Sequence, residues 1–109
     1  MPRRRKLKKK IASKKNIYNV PWFVYILECQ DKTLYVGMTL DVLRRLKEHN
    51  TTKRCRYTRS RKPLQLVYQE ERPNHYAAMC RELEIKSFDR KKKLKLIDNF
   101  SRLLSVGLE

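Results

Sequence analysis

The sequence predicts an α/β (α+β) fold in which helices pack on a small three-stranded sheet. Two observations predict it. Short apolar runs rich in aromatic and β-branched residues have the length of strands, and a polar turn joins the first two into an antiparallel β-hairpin. Longer stretches that open with capping residues have the length of helices. The predicted order is β-β-α-β-α-α.

The first two strands are predicted from an unbroken apolar run and the segment that follows a turn. Trp22–Leu27 is the first strand, residues 30–32 form the turn, and Thr33–Met38 is the second strand. The later elements follow in chain order: a helix over residues 42–49 with Asp41 as N-cap, a basic loop over 51–63, a strand over Leu64–Glu70, a helix from Pro73-Asn74 to about Phe88, and a helix from Asp89 to about Phe100.

The length of the hairpin loop decides where two tyrosines point. A three-residue loop places Leu27 opposite Tyr35 and Tyr25 opposite Gly37, so both tyrosines share one face of the sheet. A two-residue loop would send them to opposite faces. Gly37 has no side chain and leaves space beside Tyr25.

Helical spacing indicates which side chains of the two middle helices share a face. Arg45 and His49 lie at i and i+4, and Leu43 and Leu46 are expected to face the core. In the second helix the expected apolar stripe is Tyr76, Met79, Cys80 and Leu83. Glu82 and Glu84 both flank that stripe, so periodicity does not distinguish them.

Charge and size limit the classes of function. The 109 residues fit one domain, and 40% hydrophobic residues can support a core. No run is long enough to span a membrane, and no apolar segment follows the basic start as in a secretory signal. Lys and Arg number 28 against 11 acidic residues, a formal net charge of +17, so nucleic acid is the expected partner.

The charge is uneven along the chain. Residues 1–20 contain nine cations and no acid, so we expect a disordered basic arm, followed by a single domain over residues 21–109. The arm is interpreted as a phosphate-binding segment, and the alternatives are a solubilising tail or a targeting signal.

The three cysteines indicate neither a disulfide scaffold nor a zinc site. Cys29, Cys55 and Cys80 are an odd number without a C-x-x-C pair, which fits a reducing compartment. Cys29 and Cys80 are expected to be packing residues. Cys55 lies among arginines, which would lower the pKa of its thiol.

These segments together resemble the GIY-YIG nuclease superfamily over residues 22–97. Phe23-Val24-Tyr25 resembles the first motif, although it lacks the glycine, and Tyr35-Val36-Gly37 resembles the second. The segment 39–50 resembles the helix with the family's arginine, here Arg45. Residues 57–68 resemble the small stand-alone bacterial members and the nuclease domain of the eukaryotic branch-cleaving endonuclease. Residues 78–82 resemble the helix that bears the metal-binding glutamate, here Glu82.

The resemblance implies a metal-dependent endonuclease that hydrolyses phosphodiester bonds, mainly in DNA. Such an enzyme could be specific for branched or single-stranded DNA and could act in repair or recombination. It implies that Glu82 holds a single Mg²⁺ or Mn²⁺ and that Arg45 stabilises charge on the phosphate. Tyr25 and Tyr35 belong to the site, and one of them contacts or deprotonates the attacking water. Because a free tyrosine has a pKa near 10, that base needs a lowered pKa or nearby cations.

His49 is the next catalytic candidate, since it could orient a phosphate or share proton transfer; the alternative is a solvated histidine at a helix end. Met38 stands where some members have a lysine, and no late asparagine matches. No small-molecule cofactor is expected.

Six cations in ten residues and one tyrosine form a predicted nucleic-acid-binding loop: Lys53, Arg54, Arg56, Tyr57, Arg59, Arg61 and Lys62.

Two other functions stay open on the sequence. One is a non-catalytic nucleic-acid binder that keeps the fold, and the other is an RNA- or ribosome-associated basic protein. The expected location is intracellular, either cytoplasmic or nucleoid-associated, or nuclear in a eukaryote or virus. Neither the oligomeric state nor the choice between DNA and RNA is indicated by the sequence.

Overall fold

A computed structural model describes residues 17–52 and 55–107. Its elements have the predicted order: β1 Trp22–Glu28, β2 Leu34–Thr39, α1 Val42–Thr51, β3 Gln65–Arg72, α2 His75–Ser87 and α3 Arg90–Gly107. The α+β fold class is therefore confirmed. The last helix continues to Gly107, seven residues beyond the predicted end at Phe100.

The sheet has the order β2-β1-β3, with β1 paired antiparallel to both neighbours. Leu27 pairs with Tyr35 and Tyr25 pairs with Gly37, so the register expected for a three-residue loop is confirmed. The Cys29 N–H donates to the Thr33 carbonyl at 2.9 Å, and Lys32 closes the loop with a φ of 69°. A left-handed residue after a turn is a common way to close a loop of this length.

The two faces of the sheet bury different cores because successive strand side chains alternate. One face packs on α2 and α3 through Val24, Ile26, Val36, Ala78 and Ile85. The other face packs on α1 and the loop after it through Tyr25, Leu27, Cys29, Val42 and Leu64. The two faces of the central strand are thus both covered, and Tyr25 points toward α1.

The helices begin where the capping residues predict. Asp41 accepts a hydrogen bond from the Arg44 N–H at 3.1 Å, and Asn74 accepts one from the Ala77 N–H at 2.8 Å. Asp89 accepts one from the Lys92 N–H at 2.8 Å. Each carboxylate or amide oxygen satisfies a backbone donor of the first turn that has no partner within the helix.

Two predictions about helix faces are wrong. Leu43 is 74% exposed, and Val42 is the buried apolar residue of α1 in its place. In α2 the predicted apolar stripe, including Cys80, faces solvent, whereas Ala78 and Ile85 are buried. Apolar residues occupy both sides of α2, and the small Ala78 side chain lets the helix approach the sheet closely.

The segment before β1 packs on the domain from residue 17. The Trp22 indole donates to the Ile17 carbonyl at 2.7 Å, and the His75 N–H donates to the Tyr18 carbonyl at 3.2 Å. Ile17 and Tyr18 fall within the predicted basic arm of residues 1–20. Residues 1–16 of that arm lie outside the described part of the chain. Within residues 17–52 and 55–107, none of the helices is long and apolar enough to cross a membrane.

Candidate active site

Two tyrosines from neighbouring strands face α1 together. The ring centroids of Tyr25 and Tyr35 are 6.4 Å apart, as the hairpin register requires. A Cβ atom at Gly37 would lie 2.5 Å from the Tyr25 hydroxyl oxygen and 2.6 Å from its Cζ. Gly37 is therefore needed because the Tyr25 ring lies directly over its backbone.

His49 connects the tyrosine pair to the loop after α1. Its Nε2 lies 3.1 Å from the Tyr25 hydroxyl, and its Nδ1 lies 2.9 Å from the Thr58 hydroxyl. The imidazole is 2% exposed, which excludes a solvated histidine at a helix end. Burial, and after it the charge of Arg45, lowers the pKa of His49 to about 4, so the ring is neutral at physiological pH.

Arg45 pairs with a carboxylate of its own helix. One guanidinium nitrogen donates to Glu48 at 2.8 Å, and the same guanidinium acts to lower the pKa of Tyr25, which burial raises. Arg44 contacts the other Glu48 oxygen at 3.2 Å, on the exposed side of the helix. An open cleft of about 350 Å³ begins here, with Arg45, Glu48 and Trp22 in its wall.

The environment keeps both phenols protonated. Burial raises the pKa of Tyr25, the hydrogen bond and charge of Arg45 oppose this, and the carboxylate of Glu82 raises it slightly further. Burial also raises the pKa of Tyr35. A base role for either tyrosine therefore requires a group that takes the phenolic proton or a bound cation that lowers the pKa.

The structure distinguishes the two glutamates of α2. Glu82 is 16% exposed in its side chain, lies near enough to influence Tyr25, and accepts a hydrogen bond from Lys86 Nζ at 3.0 Å. Glu84 is 56% exposed and pairs with Arg81 instead. Of the two, Glu82 is thus the better candidate for the predicted metal ligand.

A divalent metal at Glu82 would have few protein ligands. Residues 17–52 and 55–107 contain no group of three His, Cys, Asp or Glu side chains placed to hold a metal ion. Mg²⁺ retains several waters and is commonly held by one or two carboxylates together with substrate phosphate oxygens. A single carboxylate such as that of Glu82 fits an ion held in this way.

The basic loop lies beside the tyrosine pair. The Tyr57 ring is 5.8 Å from that of Tyr35, and the Arg61 guanidinium stacks over Tyr57 at 4.1 Å. Arg61 also donates to Asp31 at 3.1 Å, so it holds the loop on the hairpin. The remaining cations of the predicted loop are Arg56 and Arg59, which are exposed, Lys62, which is half-buried, and Lys53 and Arg54, which lie outside the described residues.

Cys55 opens the described part of this loop. Burial alone would raise the pKa of its thiol, but hydrogen bonds from Thr58 and from the Tyr35 hydroxyl lower it. The expected direction is confirmed, and among the described residues these hydrogen bonds are the main groups that lower it.

Three contacts of the site were missed by sequence reasoning. Glu48 lies three residues after Arg45, and Lys86 lies four residues after Glu82, so helical spacing could have indicated both pairs. The contact of Thr58 with His49 depends on how the loop folds back, and no local pattern indicates it.

The chain is similar in sequence to a known family of proteins. The family model of the GIY-YIG catalytic domain matches residues 21–95. A UPF0213 protein of Haloquadratum walsbyi is 50% identical over 76 residues, 70% of this chain and 85% of the relative. A UPF0213 protein of Staphylococcus haemolyticus is 47% identical over 76 residues, 70% of this chain and 93% of the relative.

A solved structure is also similar. The solution NMR structure of the UPF0213 protein BH0048 from Bacillus halodurans is 43% identical and covers 72% of this chain and 84% of its own, with a TM-score of 0.48. The names of these relatives state no activity.

Proposed function

This chain belongs to the GIY-YIG family, and from that premise we propose that it is a metal-dependent endonuclease that hydrolyses phosphodiester bonds, mainly in DNA. The observation that supports the proposal is the grouping of Tyr25 and Tyr35 with Arg45 and His49 of α1, which covers their face of the sheet. The charge of Glu82 also acts on the pKa of Tyr25. Binding of a polyanion needs no carboxylate in a cationic cleft, whereas hydrolysis uses one to hold a metal ion.

We assign the roles from the chemistry of each group. Arg45 binds the scissile phosphate and stabilises the charge that develops on it, with donors in a fixed planar arrangement. Tyr25 or Tyr35 orients the attacking water, and His49 takes part in proton transfer through its contact with Tyr25. Glu82 holds one Mg²⁺ or Mn²⁺, which when bound acts as a Lewis acid on the phosphate oxygens.

The exposed cations extend the site over the substrate backbone. Arg56 and Arg59, with Lys53, Arg54 and Lys62, track phosphates, while Tyr57 offers a ring on which an unpaired base can stack. The arm adds affinity without sequence preference. Such a protein would act inside the cell, in the cytoplasm or at the nucleoid, on branched or single-stranded DNA during repair or recombination.

The test is cleavage by the purified full-length chain. Plasmid, branched and single-stranded DNA are incubated with Mg²⁺ or with EDTA, and we expect products with Mg²⁺ alone. Arg45→Ala should lower the rate by roughly 100-fold or more and leave DNA binding within a few-fold. Arg44→Ala is the matched control, since Arg44 is the exposed neighbour in the same helix. Binding of all three substrates without cleavage of any would favour the non-catalytic binder.

A further inference from the structure

The site contains a buried polar chain that ends at a residue outside the predicted set. His49 and Thr58 are the buried polar residues of residues 17–52 and 55–107, at 2% and 1% exposure, and their side chains meet at 2.9 Å. Tyr25, also 2% exposed, contacts the other side of the imidazole at 3.1 Å. Water can satisfy none of these groups easily, so each must find its hydrogen-bond partner in the protein.

The donors and acceptors fix the direction of this chain. A neutral imidazole has one N–H and one lone pair. A phenol is more acidic than an aliphatic hydroxyl, so Tyr25 is the stronger donor of the two hydroxyls that contact the ring. Tyr25 therefore donates to the lone pair of His49 Nε2, 3.1 Å away, which leaves the hydrogen on Nδ1.

Thr58 completes the chain on the far side of the ring. The His49 Nδ1–H then donates to the Thr58 hydroxyl oxygen at 2.9 Å. A hydroxyl can accept and donate at once, which no apolar side chain of the same shape can do.

We propose that Thr58 is a positioning residue that holds His49 in the Nδ1–H tautomer, so that the Nε2 lone pair can receive the proton of Tyr25 during hydrolysis. The proposal rests on the nuclease function proposed above. In the step, the attacking water gives a proton to the Tyr25 oxygen while the Tyr25 proton passes to His49 Nε2. The water oxygen forms the new P–O bond, the P–O bond to the leaving oxygen breaks, and the proton on His49 returns to the leaving group or to solvent.

The arrangement explains how a protonated phenol could serve as the base. Tyr25 never has to exist as a phenolate, because it loses one proton as it gains another. A third group that orients the base recurs in nucleophile–histidine sites of unrelated folds. Here the third group is a neutral hydroxyl on the basic loop, two residues from one expected substrate contact, Arg56.

The experiment compares Thr58→Val with Thr58→Ser in the full-length protein. Nitrogen-15 NMR should show the Nδ1–H tautomer of His49 in the wild type and in Thr58→Ser, and a loss of that tautomer in Thr58→Val. His75, which lies elsewhere, is the internal reference. In Mg²⁺-dependent cleavage, kcat should fall roughly tenfold or more in Thr58→Val with KM unchanged, and serine should restore it.

The two measurements separate failure of this proposal from failure of the nuclease function. An Nε2–H tautomer in the wild type would overturn the proposal without any variant, as would a Thr58→Val protein with unchanged tautomer and kcat. If the wild type cleaves no DNA, the proton-transfer step and the nuclease function both fall, and the tautomer then reports only a structural hydrogen bond. If Thr58→Val does not fold, the His49 tautomer in the wild type and in Thr58→Ser still tests the proposal.

Discussion

The hydroxyl of Tyr25 lies 3.1 Å from Nε2 of His49, and both side chains are 2% exposed. The contact joins the central strand of the sheet to the helix that follows the hairpin. It replaces the water that would otherwise solvate both groups, and it gives the protonated phenol an acceptor for its hydrogen. The predictions below test this contact and the groups around it.

Gly37→Ala should disturb the site through Tyr25. The added Cβ would lie 2.5 Å from the hydroxyl oxygen and 2.6 Å from Cζ, so we expect a loss of about 1–3 kcal/mol in unfolding free energy. The measurement is the effect of Gly37→Ala on urea denaturation in three backgrounds, which are the wild type, Tyr25→Phe and Tyr25→Leu. Tyr25→Phe keeps Cζ and should keep the cost, whereas Tyr25→Leu removes the clash and should abolish most of it. Equal costs in all three backgrounds would contradict this account.

Stability should fall in mild acid because of His49. Burial and the charge of Arg45 lower its pKa from 6.5 to about 4, against a smaller opposing effect of Glu48. Between these values the unfolded chain binds a proton that the folded chain does not, so unfolding becomes easier as the pH falls. We expect a loss of about 2 kcal/mol between about pH 7 and about pH 5. Urea denaturation should show a much smaller loss in His49→Gln, and an equal loss there would contradict the assignment.

Arg81 should be needed for the attachment of α2 to β3. Its guanidinium donates to Glu70 at 2.7 Å, and Tyr68 donates to the same carboxylate at 2.7 Å. Arg81→Met would leave the largely buried Glu70 carboxylate with the more distant Arg72 at 3.9 Å, at a cost of about 2 kcal/mol in urea denaturation. Arg102→Met is the control, because the Arg102–Asp98 pair is exposed and should contribute at most about 0.5 kcal/mol. Equal effects of the two substitutions would refute the buried role.

Lys86 should compete with the metal ion for Glu82. Its ammonium group lies 3.0 Å from the carboxylate, and the ion pair must open when a cation binds there. Lys86→Gln should therefore lower the Mg²⁺ concentration for half-maximal cleavage by roughly two- to fivefold. Lys91→Gln, which removes an exposed cation from α3, should leave it unchanged. A higher Mg²⁺ requirement in Lys86→Gln would count against Glu82 as the ligand.

The sequence predicted most of the hairpin because its constraints are local. A three-residue loop and the alternation of strand side chains are enough to pair Tyr25 with Gly37, and Asp41 marks the start of α1. The spacing from Arg45 to His49 then brings both residues to the tyrosines. Each of these relations acts over a few residues of chain or across one pair of strands.

The errors occur where packing between distant segments decides the outcome. Helix α2 has apolar residues on both sides, so periodicity predicted that the face with Tyr76 and Leu83 is buried. The structure buries the opposite face instead, because Ala78 and Ile85 fit closely on the sheet. That orientation also separates Glu82 from Glu84. The burial of Thr58 depends on a loop that folds back on α1, and no short-range signal encodes it.

The central claim is that Glu82 holds the metal ion of a nuclease site, and the most direct measurement is Mg²⁺-dependent DNA cleavage by Glu82→Gln beside Glu84→Gln. The two glutamates lie in the same helix, and Glu82 is the more buried of the two, at 16% against 56% side-chain exposure. We expect Glu82→Gln to bind DNA as well as the wild type with its cleavage reduced by at least about 100-fold, and Glu84→Gln to cleave at the wild-type rate. Full cleavage by Glu82→Gln would contradict the account.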